Sequence, residues 1–214
     1  MVKIAPSLLA ADFSCLRDEI AKVEEGGADM LHMDIMDGHF VPNLTMGPVI
    51  AKAVRSITRL FLDVHLMIES PEPFIQPFAD AGADGITVHK EACGERLTDV
   101  LAQVEEAGVR KGVSIKPATP ASSTEHLKGS IDLLLIMSVE PGFGGQQFIE
   151  SSIEKIKHTS DIFGNTAEIE VDGGITLENA GRIAEAGADI LVAGTAVFGA
   201  EDPAAAVRMM KGVS

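Results

Sequence analysis

Cysteine is scarce in this chain. Cys15 and Cys93 are the two in 214 residues, far apart and in no C-x-x-C spacing. A structural disulfide is not expected, and both are read as buried free thiols. Long apolar runs are missing too. The longest fall well short of the roughly 20 residues a membrane helix needs. No basic segment followed by an apolar one opens the chain, since Met1-Val2-Lys3 leads straight into a strand-like stretch. No signal peptide is expected, and a cytoplasmic protein is.

Positive charge is in short supply. Thirty-two acidic residues against 17 basic ones leave a net charge of −15. That balance excludes nucleic acid and anionic membrane surfaces as partners. It also means that an anionic ligand is repelled by the overall field and must be held by local donors such as backbone N–H groups and helix N-termini. No linker or low-complexity segment divides the chain, so a single domain over 1–214 is expected. The hydrophobic share of 46% is ordinary for a globular protein and excludes disorder.

What is present is a repeat. Ala/Glu-rich, helix-like segments end at Gly27, Gly82, Gly108 and Gly187, each followed by a short apolar run. Glycine is the usual residue just past a helix C-terminus. The spacings of 55, 26 and 79 residues are close to two, one and three units of about 26 residues. A helix, a glycine stop and a strand in that length form a βα unit, and the chain holds about eight.

The expected strands are 3–6, 30–36, 60–67, 85–89, 112–116, 133–137, 168–171 and 190–193. The expected helices are 14–25, 48–56, 74–81, 97–106, 124–128, 149–159, 177–186 and 203–210. This alternation fits an α/β fold, a closed (β/α)8 barrel. An open doubly wound sheet is the competitor, against which no G-x-G-x-x-G follows the first strand.

In such a barrel the active site lies at the C-terminal ends of the strands. The unusual residues fall there. His32, Asp34 and Met36 share one face of the second strand, since strand side chains alternate. A buried imidazole and carboxylate are costly unless something uses them. With His65 on the third strand and Asp172 on the seventh they make a candidate site for one divalent metal, zinc, manganese, iron or cobalt. Singly, each has a plainer reading as a strand-end or turn residue. Asp63 shares the face of His65 and stays open as a further partner.

Three glycine-rich turns follow late strands: Gly142-Phe143-Gly144-Gly145, Gly173-Gly174 and Gly194-Thr195. Together they suit a phosphate held by backbone dipoles, with 195–198 as a short extra helix. The 141–146 segment could serve as a lid. Met36, Met67 and Met137 end strands two, three and six, as core filler or as an apolar cap. His89 and Lys116 stand at strand ends without a motif, and His39 reads as a loop residue. A metal that polarises a carbonyl acidifies the neighbouring C–H. Carboxylates on the two faces of that carbon, Asp34 and Asp172, could then invert its configuration.

The segments Ile4–Phe13, His32–Asn43, Asp63–Met67, Pro141–Gln146 and Val171–Gly174 resemble ribulose-phosphate 3-epimerases over nearly the whole chain. The resemblance implies a TIM barrel of the ribulose-phosphate-binding type. It implies metal-dependent C3 epimerisation between D-ribulose 5-phosphate and D-xylulose 5-phosphate. By it, His32, Asp34, His65 and Asp172 bind one metal, and Asp34 and Asp172 are the acid/base pair. Ser7, His65, Asp172 and the three turns would contact the phosphosugar, with the three methionines as cap. A homo-oligomer is expected on the same ground. Thr195 stands where such enzymes more often have Ser, and Lys90 where a smaller or apolar residue is common. The nearest alternatives are a hexulose-phosphate epimerase acting on allulose 6-phosphate and a non-catalytic phosphosugar-binding barrel. A metal-free decarboxylase would want a D-x-K-x-x-D array, which is absent.

Overall fold

The computed structural model describes residues 2–212. Met1, Val213 and Ser214, which the expected single domain takes in, lie outside the described residues. The strands are β1 (Lys3–Pro6), β2 (Met30–Met36), β3 (Phe61–Met67), β4 (Gly85–His89), β5 (Arg110–Ile115), β6 (Leu133–Met137), β7 (Glu168–Asp172) and β8 (Ile190–Ala193). Between and after them run α1 (Leu16–Glu25), α2 (Pro48–Arg55), α3 (Glu72–Asp80), α4 (Lys90–Cys93), α5 (Leu97–Glu106), α6 (Ser152–Phe163), α7 (Ala180–Glu185), α8 (Thr195–Phe198) and α9 (Pro203–Lys211). All ladders are parallel, in the order β1-β8-β7-β6-β5-β4-β3-β2. A bridge between Ser7 and His32 joins β1 to β2 and closes the ring.

The repeat has a physical basis at both ends of each unit. Gly27, Gly82, Gly108 and Gly187 have φ between 77° and 109°, the left-handed region that reverses the chain after a helix. Aspartates just before four of the strands brace the barrel floor. Asp29 accepts the N–H of Ile4, Asp84 that of Leu62, Asp132 that of Lys111 and Asp189 that of Ile169, at 2.8, 2.8, 2.8 and 2.9 Å. Each aspartate just before an even-numbered strand thus ties down the strand preceding it. Outward strand residues such as Leu31, Met33 and Leu62 are fully buried under the helices. Burying each contributes about 1.5–3 kcal/mol. Inward residues, Ala5, Leu135, Met137 and Val192 among them, form a separate cluster inside the barrel.

Several elements differ from expectation. The segment expected as a helix at 124–128 is a 3-10 stretch, Ala121–Leu127. The hydroxyls of Ser123 and Thr124 bond back to the carbonyls of Pro120 and Ala121 at 2.7 Å, satisfying the backbone locally instead of extending a helix. β5 starts and ends earlier than expected. Lys116 lies beyond it, before Pro117, and gives its N–H to the Glu91 side chain. α6 starts three residues later than expected and α7 is shorter. The short helix at 195–198 is present. Cys93 is buried, whereas Cys15 is only half-buried. Among the described residues no helix is long and apolar enough to cross a membrane.

Candidate active site

β2 and β3 pair so that His32 lies beside Asp63 and Asp34 beside His65. The pleat turns all four into the barrel. β6 sets Met137 beside Asp172 at the same end. His32, Asp34, His65 and Asp172 each offer one ligand atom, and these atoms lie within 4.8 Å of one another. His32 and His65 are fully buried, Asp34 is 4% exposed, and Asp172 is half-buried. Asp34 Oδ1 stands 3.3 Å from His32 Nε2 and 3.2 Å from His65 Nδ1, while Oδ2 accepts a 2.7 Å hydrogen bond from Ser7 Oγ.

The proton positions test whether a cation fits. His32 Nδ1 lies 2.5 Å from Asp63 Oδ2, so this nitrogen carries a hydrogen and donates it to the carboxylate. In the neutral ring Nε2 is then a bare lone pair. It is buried, has no hydrogen-bond partner, and points toward Asp34. A lone pair facing a carboxylate with no proton between them is unfavourable, and a cation resolves it. The donor set, two imidazoles and two carboxylates, suits zinc, manganese, iron or cobalt. Two carboxylates and one dication also sum to zero charge.

Electrostatics agree with the geometry. Burial disfavours a charge on His32, but Asp34 and Asp63 outweigh it and hold its pKa well above the usual value. The two carboxylates thus favour positive charge at this point. Burial likewise opposes ionisation of Asp34, and His32 and His65 overcome it, keeping this carboxyl well below the ordinary range. Burial, then the Asp34 charge, pushes Asp172 up to about 7. Two carboxyls at one site are therefore driven apart, one ionised and one able to hold a proton near neutrality. A cation among the ligands lowers both. The contrast in hydrogen bonding persists, because the Ser7 hydroxyl donates to Asp34.

A cavity of about 910 Å³ opens at this end of the barrel. Ser7, Asp34, Met36, Met67, Met137 and Asp172 line it, together with Gly142, Phe143, Gly144, Gly145, Gly173, Gly174, Gly194 and Thr195. His32 and His65 sit beneath its floor. No lysine or arginine is among the lining residues, whereas Asp34, Glu150 and Asp172 are. Met36 and Met67 pack with Val41, and Met137 joins the inner barrel cluster, so the three methionines are both core and cavity wall. Gly174 is required where it stands. Its φ is +67°, and a Cβ there would come within 2.3 Å of the Phe148 backbone nitrogen. Asn179 Nδ2 holds the Gly174 carbonyl at 2.9 Å, and Asn43 Nδ2 holds that of Gly142 at 2.8 Å.

Spacing left Asp63 open and did not point to Glu170 at all. Asp63 is a partner of His32, set below the four-residue cluster. Glu170, fully buried beside them with Oε1 3.6 Å from His32 Nδ1, has both oxygens unpaired, and burial with the Asp63 charge pushes its carboxyl up to about 8. The inward alternation of β7, Glu170 then Asp172, was the available signal. Asp37 shapes the turn after β2 by accepting the N–H groups of His39, Phe40 and Glu69 at 2.8–2.9 Å. His39 is exposed in that turn. Lys116 does not line the cavity; its ammonium stands 4.0 Å over the Phe40 ring.

The family model described as the ribulose-phosphate 3 epimerase family matches residues 3–198. The chain is 50% identical over 216 residues to ribulose-phosphate 3-epimerase of Bacillus subtilis (strain 168), covering 99% of each. It is 48% identical over 210 residues to the Synechocystis enzyme of that name, covering 96% of this chain and 91% of the other. Among solved structures, KGPDC from Streptococcus mutans superposes with a TM-score of 0.77 at 15% identity, over 100% of this chain and 97% of that one. The 3-hexulose-6-phosphate synthase from Salmonella typhimurium does so with 0.76 at 21% identity, over 99% and 98%. At such identities the likeness is one of fold alone, the (β/α)8 barrel. On the family match and the full-length identity, the chain belongs to the ribulose-phosphate 3-epimerase family.

Proposed function

We propose that this chain, as one barrel domain, interconverts D-ribulose 5-phosphate and D-xylulose 5-phosphate by inverting C3. In this reading Asp34 and Asp172 act on opposite faces of that carbon. The observation that carries it is geometric: Asp34 and Asp172, from strands on different sides of the barrel, line one cavity and share with His32 and His65 a cluster of ligand atoms within 4.8 Å of one another. Asp34 is held ionised and is oriented by Ser7, while Asp172 is pushed up to about 7. A base and an acid at near-neutral pH need this split.

His32, Asp34, His65 and Asp172 would hold a divalent cation, which would supply Lewis-acid polarisation of the C2 carbonyl and so acidify the adjoining C3–H. Asp34 takes the C3 proton from one face, and the electron pair delocalises into an enediolate. Asp172 delivers its proton to the other face of C3. No atom is gained or lost. Asp34 ends protonated and Asp172 ionised, and exchange with solvent restores the pair. In the reverse direction the two roles swap. Met36, Met67 and Met137 present an apolar wall that limits water at the reacting carbon. The glycine turns and the N-terminal end of α8 offer backbone N–H groups to the phosphate. With no basic side chain lining the cavity, they and the cation must offset the acidic field.

Asp34→Asn and Asp172→Asn are each expected to abolish inversion at C3 with the circular dichroism spectrum retained. In D2O, each is expected to leave slow deuterium exchange at C3 of one epimer only. Full activity in either variant would sink the two-face scheme. Comparing kcat/KM on ribulose 5-phosphate and allulose 6-phosphate decides between pentose and hexulose substrates. Elemental analysis of protein purified without added metal identifies the cation, and sedimentation tests the proposed homo-oligomer.

A further inference from the structure

His89 ends β4 and has no part in the scheme above. Its ring is fully buried, and both nitrogens are engaged. Nε2 lies 2.9 Å from Nε2 of His65, and Nδ1 lies 3.3 Å from Oε2 of Glu91. A carboxylate only accepts, so His89 carries its hydrogen on Nδ1 and donates it to Glu91. Neutral His89 then has a bare Nε2. Two imidazole nitrogens at hydrogen-bond distance hold one hydrogen between them. Asp34 competes for it from the far side of His65 but already accepts from Ser7, so Glu91 takes the His89 hydrogen and His65 donates from its own Nε2. That leaves His65 Nδ1 as a lone pair, and this is the atom 3.2 Å from Asp34 Oδ1.

We infer that Glu91 and His89 are positioning residues that fix His65 as its Nε2–H tautomer and so keep Nδ1 available as a ligand atom. The inference rests on the reading of His32, Asp34, His65 and Asp172 as a cation site. It makes the third-strand histidine the counterpart of the second-strand one. His32 is set directly by a carboxylate, Asp63. His65 is set by a carboxylate acting through a second imidazole. Outer partners of this kind orient ligating histidines and choose which nitrogen binds.

The far end of the relay is itself anchored. Oε1 of Glu91 accepts the N–H of Lys116 at 2.8 Å and the hydroxyl of Thr119, which leaves Oε2 for His89. The Glu91 side chain is 23% exposed, so it is only partly screened by water. The His89 ring is also held by packing. The Phe40 ring lies 4.7 Å away, tilted by 45°, and Lys116 stands over Phe40. Lys116 thus serves the relay twice, through its backbone N–H and through Phe40.

Long-range 15N–1H correlation spectra of the metal-free and Zn2+-loaded protein read the tautomer directly. Hydrogen on Nε2 of His65, and none on Nδ1, is expected in both. In Glu91→Gln the carboxamide can turn its NH2 toward His89. That reverses the relay and moves hydrogen onto His65 Nδ1. Zn2+ affinity, measured by chelator competition, is expected to fall about 10- to 100-fold. His89→Phe keeps a ring but no acceptor, and a similar loss is expected. His89→Gln offers a carbonyl to His65 Nε2–H, so most of the affinity is expected to remain. In that background Glu91→Gln should add no further loss, which a merely structural role for Glu91 would not reproduce. Hydrogen on Nδ1 of His65 in the metal-free wild type would overturn the inference. So would an unaltered tautomer and Zn2+ affinity in Glu91→Gln. If the wild type failed to bind Zn2+, the cation site itself would fall, while the metal-free spectra would still judge the relay.

Discussion

Removing one hydroxyl, in Ser7→Ala, tests how Asp34 is held. Ser7 Oγ donates to Asp34 Oδ2 over 2.7 Å, and the two residues are 5% and 4% exposed. A hydrogen bond to a charged acceptor contributes about 1.5–3 kcal/mol. At 1.36 kcal/mol per pKa unit that is about one to two units. Losing the donor disfavours the ionised form, so the Asp34 pKa rises. It starts well below the ordinary carboxylate range, so a rise of this size leaves Asp34 ionised at neutral pH. Protonation is therefore not what slows the variant at neutrality. The loss comes from orientation, because Oδ2 no longer has a fixed partner. The Leu9 amide also loses Ser7 Oγ as acceptor, but at 3.3 Å that bond is long and its loss is the smaller effect.

The expected outcome is a fall in kcat/KM of about 10- to 150-fold at neutral pH, from 1.4 kcal/mol per tenfold. The shape of the pH profile from about pH 5 to 9 should stay as in the wild type, because Asp34 remains ionised throughout this range. Steady-state rates across it give both quantities. A variant with wild-type kcat/KM would refute the view that Ser7 holds Asp34 in place, and an acid limb newly raised into this range would refute the view that the loss is one of orientation.

Other perturbations bear on different parts of the fold. Gly174→Ala meets both a left-handed φ and the Phe148 backbone, so the turn must shift; a KM increase of about 5- to 30-fold is expected, from about 1–2 kcal/mol of conformational strain alone. Asp189→Ala removes the acceptor for the Ile169 N–H and should lower the unfolding free energy by about 1 kcal/mol, whereas Asp189→Asn keeps an acceptor and should lose less, as read by urea titration. The Cys93 thiol is pushed up to about 12, by burial first and then by Glu72, so its thiolate appears only as pH rises toward that value. At pH 8 only about one molecule in 10⁴ is ionised there, and thiol reagents should modify Cys93 only upon unfolding.

The barrel was legible because its units repeat. Glycine after each helix and an apolar run of strand length both follow from local sterics, and Gly27, Gly82, Gly108 and Gly187 do lie in the left-handed region. The stretch at 124–128 misled because Ser and Thr compete for backbone carbonyls, and only the fold decides whether the helix or the local bond wins. The aspartates before β2, β4, β6 and β8 were visible as residues, but their use as clamps was not. Each bond joins strands about 20 to 25 residues apart in the chain.

The site divides in the same way. Alternation along β2 places His32 and Asp34 on one face, and the end of a parallel strand is where polar residues reach a cavity. These are local rules, so sequence alone determined which residue types stand at the mouth of the barrel: two imidazoles, two carboxylates, three glycine turns and three methionines. Tertiary structure decided their states. Asp34 and Asp172 are both plain carboxyls in the sequence. Different neighbours across the barrel hold one ionised and push the other to about 7. His32 and His65 expose opposite nitrogens to Asp34, because Asp63 lies beside one ring and His89 beside the other. Pairing, burial and proton position depend on the distances between strands, and those exist only after the barrel closes.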